Sequence, residues 1–185
     1  MQVKCKQMLK SLIVFFRKRN VKRNLQQKNV LKFPELDNST MMTILLDYNQ
    51  KNDIKEIERL IKVNVNPKSL RFIVLCDSLP ENIIQTDLMV LINKNDFNSF
   101  GVLKKEKDSM LKSMCNDLFI NMSDKNERLL NDYLVSCVNS SFKIGHSNVN
   151  FTLHDFILDY GAVANVVERV EVLFSYLFML SGKKQ

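Results

Sequence analysis

Short apolar runs alternate with segments of helical period from residue 41 to residue 180, and this alternation restricts the fold more than any other feature of the chain. The runs are rich in large aliphatic and aromatic side chains, as expected of strands that are covered on both faces. They lie at 41–46, 72–76, 88–92, 118–122, 142–145 and 151–158. The pattern predicts a single three-layer α/β domain whose mixed, mainly parallel sheet has five to six strands.

Between and after these runs, apolar side chains recur at steps of three and four residues, the period of one helix face. Such segments cover 54–61, 105–115, 129–138 and 163–180. Asp53 and Asp124 each have a glutamate three residues further on, a spacing typical of a helix start. We therefore expect both aspartates to cap helices.

Two of the connections between strands are short. The loop between the fifth and sixth runs has a length typical of a β-hairpin, so we expect those two strands to be antiparallel. Between the second and third runs the chain has room only for a short helical turn or an antiparallel edge strand, because a full crossover helix needs more residues.

The first 32 residues carry a strong positive charge. They contain ten of the 27 lysines and arginines and none of the 20 aspartates and glutamates, which leaves 17 basic against 20 acidic side chains in the rest of the chain. Residues 3–27 lack Pro and Gly and have apolar residues at helical period, which predicts a basic amphipathic helix. We therefore divide the chain into a basic helical arm at 1–32, a linker at 33–40 and an α/β domain at 41–185.

Two interpretations fit the charge of this arm. It can meet an anionic partner, either nucleic acid or a membrane surface, or it can pack on the acidic body of its own chain or of a second copy in a homodimer. On nucleic acid it would contact phosphates, because its aromatic residues do not form a platform for base stacking. The candidates for partner binding are Lys6, Lys10, Arg17, Lys18, Arg19, Lys22 and Arg23.

Composition argues against several classes of function. Four glycines leave no room for a glycine-rich phosphate loop or a dinucleotide fingerprint, and the four cysteines contain no C-x-x-C pair, so the sequence indicates no cofactor. Reduced thiols are typical of the cytoplasm, where we expect the protein to be. The apolar run at 12–16 is too short for a signal peptide, and no stretch approaches the roughly 18 apolar residues of a transmembrane segment.

Polar side chains follow most of the predicted strands. In parallel α/β sheets, ligands bind beyond the carboxyl ends of the strands, which makes these residues the candidates for ligand binding. They are Asp47, Asp77, Ser123, Asp124 and His146, with Asn49, Ser78, Asn121 and Gly145 beside them. Asp, Asn and Ser are also the usual capping residues of helices and turns, so each candidate has a structural interpretation as well.

The sequence spells out no catalytic arrangement, and the catalytic residues stay unassigned. His146 and His154 are the two histidines of the chain, and neither Ser78 nor Ser123 lies in the G-x-S-x-G motif of a nucleophile elbow. A hairpin could bring both histidines to Asp155 as metal ligands. A surface or hydrogen-bonded histidine is the commoner case, and we predict no metal.

Five short segments carry a resemblance to a known family. They are Asp96–Gly101 (DFNSFG), Asn116–Ile120, the helix through Leu129 and Leu130, Phe142–Gly145 and Phe174–Leu177. Together they resemble a family of short bacterial α/β proteins that is classed only as a domain of unknown function. The resemblance extends over most of residues 41–180, and a basic N-terminal helix is usual in that family. It implies the α/β fold and a cytoplasmic location, and it implies no activity, cofactor or catalytic residue.

These observations predict a cytoplasmic, non-enzymatic binding or interaction protein that uses its basic N-terminal helix to meet an anionic or protein partner. The alternative is a small enzyme that binds an anionic metabolite at the carboxyl ends of the strands. A concave pocket at those ends, lined by several of the candidate residues, would favour the alternative.

Overall fold

A six-stranded parallel sheet forms the centre of the molecule, in a computed structural model that describes residues 2–25, 33–77, 88–124, 128–147, 149–163 and 165–182. The strands are β1 Met41–Asp47, β2 Ser69–Leu75, β3 Met89–Ile92, β4 Asn116–Asn121, β5 Ser140–His146 and β6 Phe156–Leu158. They lie in the order β3-β2-β1-β4-β5-β6, and every pairing between neighbours is parallel. The predicted single α/β domain with a mainly parallel sheet of five to six strands is confirmed. The sheet is parallel and not mixed, and β3, for which an antiparallel edge strand was one alternative, is parallel to β2.

Helices cover both faces of the sheet. Those in the described residues are α1 Gln2–Leu25, α2 Ile54–Asn64, α3 Lys105–Ser113, α4 Arg128–Cys137 and α5 Val166–Ser181. The apolar side chains of α2 and α5 pack on one face, and those of α3 and α4 pack on the other. α1 lies against α4 on that second side, which gives the three layers that the alternation of runs and helices predicts.

The sequence of the central strands explains why both faces are covered. Ile44 and Leu46 of β1 join the core under α2 and α5, while Leu45 between them joins the core under α4. Ile120 and Phe119 of the neighbouring β4 divide in the same way. Because successive residues of a strand point to opposite faces, a continuous apolar run is stable only when helices cover both of them.

The predicted antiparallel hairpin is wrong. β6 contains only Phe156–Leu158 and is parallel to β5, with Ile144 opposite Phe156 and His146 opposite Leu158. Residues 151–153, which the pattern placed in a strand, form a short 3-10 turn instead. Because β6 begins opposite the end of β5, the connection has to step back only about 7 Å along the strand direction, so that no crossover helix is needed.

Gly145 makes this short parallel connection fit. The loop between β5 and β6 folds down onto the strand at this glycine, where a Cβ would lie 2.6 Å from Cγ2 of Val149 and 2.7 Å from Cδ2 of His154. Real Cβ atoms do not approach other atoms so closely, so the backbone of β5 and the loop can meet only where the side chain is absent.

Of the two predicted helix caps, the one at Asp53 is not formed, and the segment that follows Asp124 lies outside the described residues. Asp53 immediately precedes α2, but its side chain makes no capping hydrogen bond. A 3-10 turn over Tyr48–Asp53 leads directly into the helix, so Asp53 already has helical backbone angles instead of the extended ones of a cap. Residues 125–127 after Asp124 lie outside the described residues, as does most of the connection between β2 and β3.

The N-terminal helix packs on the body of its own chain. Nε of Arg17 donates a hydrogen bond to the Gly101 carbonyl at 2.8 Å, and Nδ2 of Asn24 donates one to Oγ of Ser136 in α4 at 3.2 Å. Val21 is half-buried against the core under α4. α1 is therefore part of the helical layer on that side of the sheet.

Candidate functional site

The carboxyl ends of β1 and β4 meet at the point where the strand order reverses. The connection from β1 to β2 runs through α2 on one face, and the connection from β4 to β5 runs through α4 on the other. Connections that leave in opposite directions open a crevice between the two strand ends, and this is where open α/β sheets bind their ligands. Four of the five predicted ligand-binding residues lie at this crevice.

Asp47 is the centre of this group. Its carboxylate is buried and accepts a hydrogen bond from Oγ of Ser123 at 2.7 Å and another from the backbone N–H of Asp124 at 2.8 Å. Its own backbone N–H donates to Oε1 of Gln50 at 2.8 Å. The loop after β1 and the loop after β4 are thus joined to each other through one carboxylate.

His146 joins β5 to the same loop. Its Nε2 lies 2.9 Å from the carbonyl oxygen of Ser123, and since a carbonyl can only accept, Nε2 carries the hydrogen. The imidazole therefore contacts the backbone of Ser123, whereas the hydroxyl of Ser123 donates to Asp47. These three residue types are those of a hydrolase triad, but the serine is not bonded to the base that would activate it.

His154 lies beside this group and is held neutral. Its Nδ1 donates to the Asn150 carbonyl at 2.9 Å, and its Nε2 accepts from Nδ2 of Asn121 at 3.3 Å. Burial lowers the pKa of His154 to about 4. Among the residues that the structure describes, no three His, Cys, Asp or Glu side chains are grouped as metal ligands would be.

Arg169 of α5 completes the group, although it is not among the residues that the sequence predicted for the site. Nη1 of Arg169 donates to both carboxylate oxygens of Asp124, at 2.8 and 2.9 Å, and its Nε donates to the Val163 carbonyl at 2.8 Å. The signal in the sequence is one arginine within the apolar stripe of the last helix. An arginine on a buried face is retained only where its charge has a partner.

Asp77, the fifth predicted ligand-binding residue, lies elsewhere. It follows β2, on the other side of β1 from the crevice, and its carboxylate is 4.0 Å from Nζ of Lys94 after β3. Both side chains are largely exposed. Ser78, which the sequence placed beside Asp77, lies outside the described residues.

The partner-binding residues of α1 divide into two sets. Arg17 is half-buried against the body. Lys10, Lys18, Arg19, Lys22 and Arg23 are exposed, and Lys6 lies in the first turns of the helix. The apolar residues of α1 also divide, because Ile13 and Val21 face the body while others do not.

Five large apolar side chains of α1 are exposed to solvent. Val14 is one of them, and the other four, Met8, Leu9, Leu12 and Phe15, have 65%, 48%, 39% and 57% of their surface accessible; we call these four the outward patch. Residues at steps of four and three share one helix face, so Met8, Leu12 and Phe15 form a stripe that Arg19 and Lys22 continue. The ring of Phe16 contacts that of Phe15 at 5.6 Å between centroids and that of the exposed Phe100 at 4.8 Å.

The strand order 3-2-1-4-5-6 makes this chain a three-layer α/β protein of the Rossmann type. The connection after β1, Tyr48–Asp53, contains no glycine, so the phosphate-binding loop of dinucleotide enzymes is missing. Residues 14–180 match the model of a family of unknown function, DUF6913, and the chain belongs to that family. This confirms the resemblance to a domain of unknown function. No curated protein and no solved structure matches the chain.

Within the described part of the chain, no helix is both long enough and apolar enough to cross a membrane. α1 is the longest of the described helices, and its apolar outward stripe is continued after Phe15 by the basic residues Arg19 and Lys22.

Proposed function

We propose that this protein is a non-enzymatic, cytoplasmic binding protein that docks on anionic membrane surfaces through the outward side of α1. The observation that carries the proposal is the outward patch, four large apolar side chains that are partly exposed to water on a helix without acidic residues. An isolated exposed leucine needs no explanation, but a contiguous stripe on one helix marks an interaction surface.

The charge next to the patch favours a membrane over other partners. Arg19 and Lys22 continue the stripe of the outward patch, and Arg23 lies next to them. For these exposed side chains the described residues provide no acidic partner. Helices that lie in a membrane interface combine apolar side chains, which enter the acyl boundary, with basic ones that contact anionic headgroups. Nucleic acid would use the charges but would leave the apolar side chains in water.

The body of the protein supports a binding role more than an enzymatic one. At the crevice between β1 and β4, the carboxylate of Asp47 is engaged by Ser123 and Asp124, and the carboxylate of Asp124 is engaged by Arg169. His154 is neutral and hydrogen-bonded on both ring nitrogens. These side chains are hydrogen-bonded to one another, and the hydrogen bonds hold the loops together. They do not pair a nucleophile with a general base.

Vesicle sedimentation tests the proposal. The full chain is mixed with vesicles of phosphatidylcholine alone or with phosphatidylglycerol, at low and high salt. We expect binding that requires the anionic lipid and weakens with salt. The pair Leu12→Ser and Phe15→Ser should lower the affinity about tenfold or more through lost apolar burial. The pair Arg19→Gln and Arg23→Gln should lower it by about the same factor, since each cation near the surface contributes roughly 1 kcal/mol.

Matched control variants lie on the body. Val63 and Met179 are exposed apolar residues on α2 and α5, so Val63→Ser with Met179→Ser controls for lost apolar surface. Lys55→Gln with Lys68→Gln removes the same charge from exposed positions. Both pairs should bind vesicles as the unaltered chain does. Binding of RNA or DNA without vesicle binding, or a homodimer in solution that buries the outward patch, would refute the membrane proposal.

A further inference from the structure

A cavity of about 400 Å³ lies at the carboxyl ends of β2 and β3, separate from the crevice at β1 and β4. Its floor is formed by the last apolar residues of both strands and by the inner face of α4, and α1 closes it from above. The lining includes Leu75 and Ile92 of the strands, Leu130 and Leu134 of α4, and Ile13 and Arg17 of α1. A second cavity, of about 210 Å³, lies at the opposite end of the sheet near Ser140, away from the strand ends at which α/β proteins bind ligands.

One cation, Arg17, is oriented in the wall of the cavity at β2 and β3 by two contacts. Nε of Arg17 donates to the Gly101 carbonyl at 2.8 Å, and the guanidinium carbon lies 5.5 Å from the centre of the Phe97 ring. Gly101 has a φ of +70°, and a Cβ there would lie 2.5 Å from Cγ2 of Ile13. The turn at 97–101 is thus shaped to let α1 approach closely and to fix the orientation of its arginine.

The mouth of the cavity is polar. Asp77 and Lys94 follow β2 and β3, lie 4.0 Å apart and are largely exposed. Asn93 is buried at the rim, with its amide oriented by hydrogen bonds to Asn95 and Asp96. Apolar walls with a few fixed polar groups and a volume of this order are characteristic of small-molecule sites.

From these features we infer that the cavity binds a small organic anion, one carboxylate or phosphate group joined to an apolar or aromatic body. The anionic group meets the guanidinium of Arg17, whose planar fork matches carboxylate and phosphate oxygens. The apolar body fills the space between Leu75, Ile92 and Leu130. This inference concerns the inner side of α1 and does not depend on the docking role of its outer side.

Titrations followed by amide NMR on the full chain test the inference, with phenylacetate, phenyl phosphate and uncharged benzyl alcohol as probes. We expect both anions to shift amides at the ends of β2 and β3 and at Gly101, with affinity at least about tenfold above that of benzyl alcohol, a difference of about 1.4 kcal/mol. Whichever anion binds more tightly identifies the headgroup. Arg17→Gln should abolish the preference for the anions, and Arg17→Lys should restore part of it.

Three further variants distinguish the site from general effects. Leu130→Phe fills the cavity from a half-buried position of α4 and should abolish binding of all three probes. Lys94→Gln at the exposed mouth should change affinity less than Arg17→Gln does. Arg19→Gln on the outward side should leave probe binding intact while it weakens vesicle binding. If no amide at the strand ends responds to about 10 mM probe, ten times a dissociation constant of 1 mM, the cavity is a packing gap and the inference is refuted.

Discussion

His154 is a buried histidine that the protein keeps neutral, and its hydrogen bonds explain how. Nδ1 donates to the Asn150 carbonyl, so the lone pair on Nε2 is left to accept from Asn121. Protonation of Nε2 would remove this hydrogen bond, because the N–H on Nε2 of His154 and the N–H on Nδ2 of Asn121 would then both be donors and would face each other. We therefore expect the loop between β5 and β6 to be sensitive to acid.

The first prediction concerns the stability of this loop against pH. The pKa of His154 is about 4 in the folded chain and near 6.5 when unfolded, so the unfolded state takes up the extra proton first. The contribution of neutral His154 to the free energy of unfolding should be fully present above pH 6.5 and should fall by roughly 2–3 kcal/mol as the pH drops towards 4. His154→Asn keeps a donor for the Asn150 carbonyl, but its free energy of unfolding should lack this pH dependence. Urea unfolding between pH 4 and 7 measures it, and parallel curves for the two proteins would contradict it.

The second prediction concerns Gly145. Alanine at this position would place a Cβ within 3 Å of both Val149 and His154, so Gly145→Ala should destabilise the fold by about 1–3 kcal/mol through overpacking. Gly161 is the control, because it has open space around it and Gly161→Ala costs only the strain of its φ of +57°, about 1 kcal/mol. Equal losses in urea unfolding would show that the loop does not press on β5.

At this scale, the sequence could identify which polar residues follow strands, but not which of them meet. Asp47, Ser123, Asp124 and His146 were predicted as one set, and the parallel sheet does bring them together at one edge. Asp77 had the same sequence signal but follows β2, which lies on the side of β1 away from β4. The difference depends on strand order, which is decided by long-range packing and leaves no local mark in the sequence.

Among the helices and strands, α5 is tied to the sheet by a charged contact as well as by its apolar face. Arg169 donates to both oxygens of Asp124 and to the Val163 carbonyl, and its guanidinium lies 5.9 Å from the ring centre of Tyr160. The side chain is only 15% exposed. This arginine joins the loop after β4, the segment before α5 and the helix itself.

The third prediction compares this contact with an ordinary surface pair. Arg169→Gln should lower stability by about 1–3 kcal/mol, because it removes charge-assisted hydrogen bonds from a mostly buried side chain. Arg59→Gln removes a similar bidentate contact, with Glu56 one turn away on α2, but both partners are exposed. It should cause no measurable change, since exposed pairs within one helix contribute little. Equal losses in thermal unfolding would mean that Arg169 does not join these elements.

The strands were predictable from the sequence to different degrees. β1 and β4 lie at the centre of the sheet, and burial on both faces produces the continuous apolar runs that identify them. β6 at the edge has three residues, and its direction depends on where it pairs with β5. Loop length alone predicted a hairpin. The close packing of the loop on Gly145, which permits a parallel pairing instead, has no periodic signature.

At the scale of the whole molecule, the question is whether α1 packs on the rest of the chain as part of one unit or extends from it as a separate arm. The sequence predicts a division at residues 32 and 40, on the evidence of charge. Charge describes what a segment can attract and not what it packs on. In the structure one side of α1 packs against α4 and the loop at 97–101. The opposite side faces solvent and carries the outward patch.

The last prediction separates these two sides by stability. Ile13→Ser with Val21→Ser should lower the free energy of unfolding by roughly 2 kcal/mol, because both side chains are half-buried against the body. Met8→Ser with Phe15→Ser changes the two most exposed side chains of the outward patch and should lower stability much less, because 65% and 57% of their surface is already accessible to water in the folded chain. Urea unfolding measures both pairs. If the inward pair lowers stability no more than the outward pair, and deletion of residues 1–32 leaves the unfolding midpoint where it was, α1 is a separable arm, as its charge alone suggests.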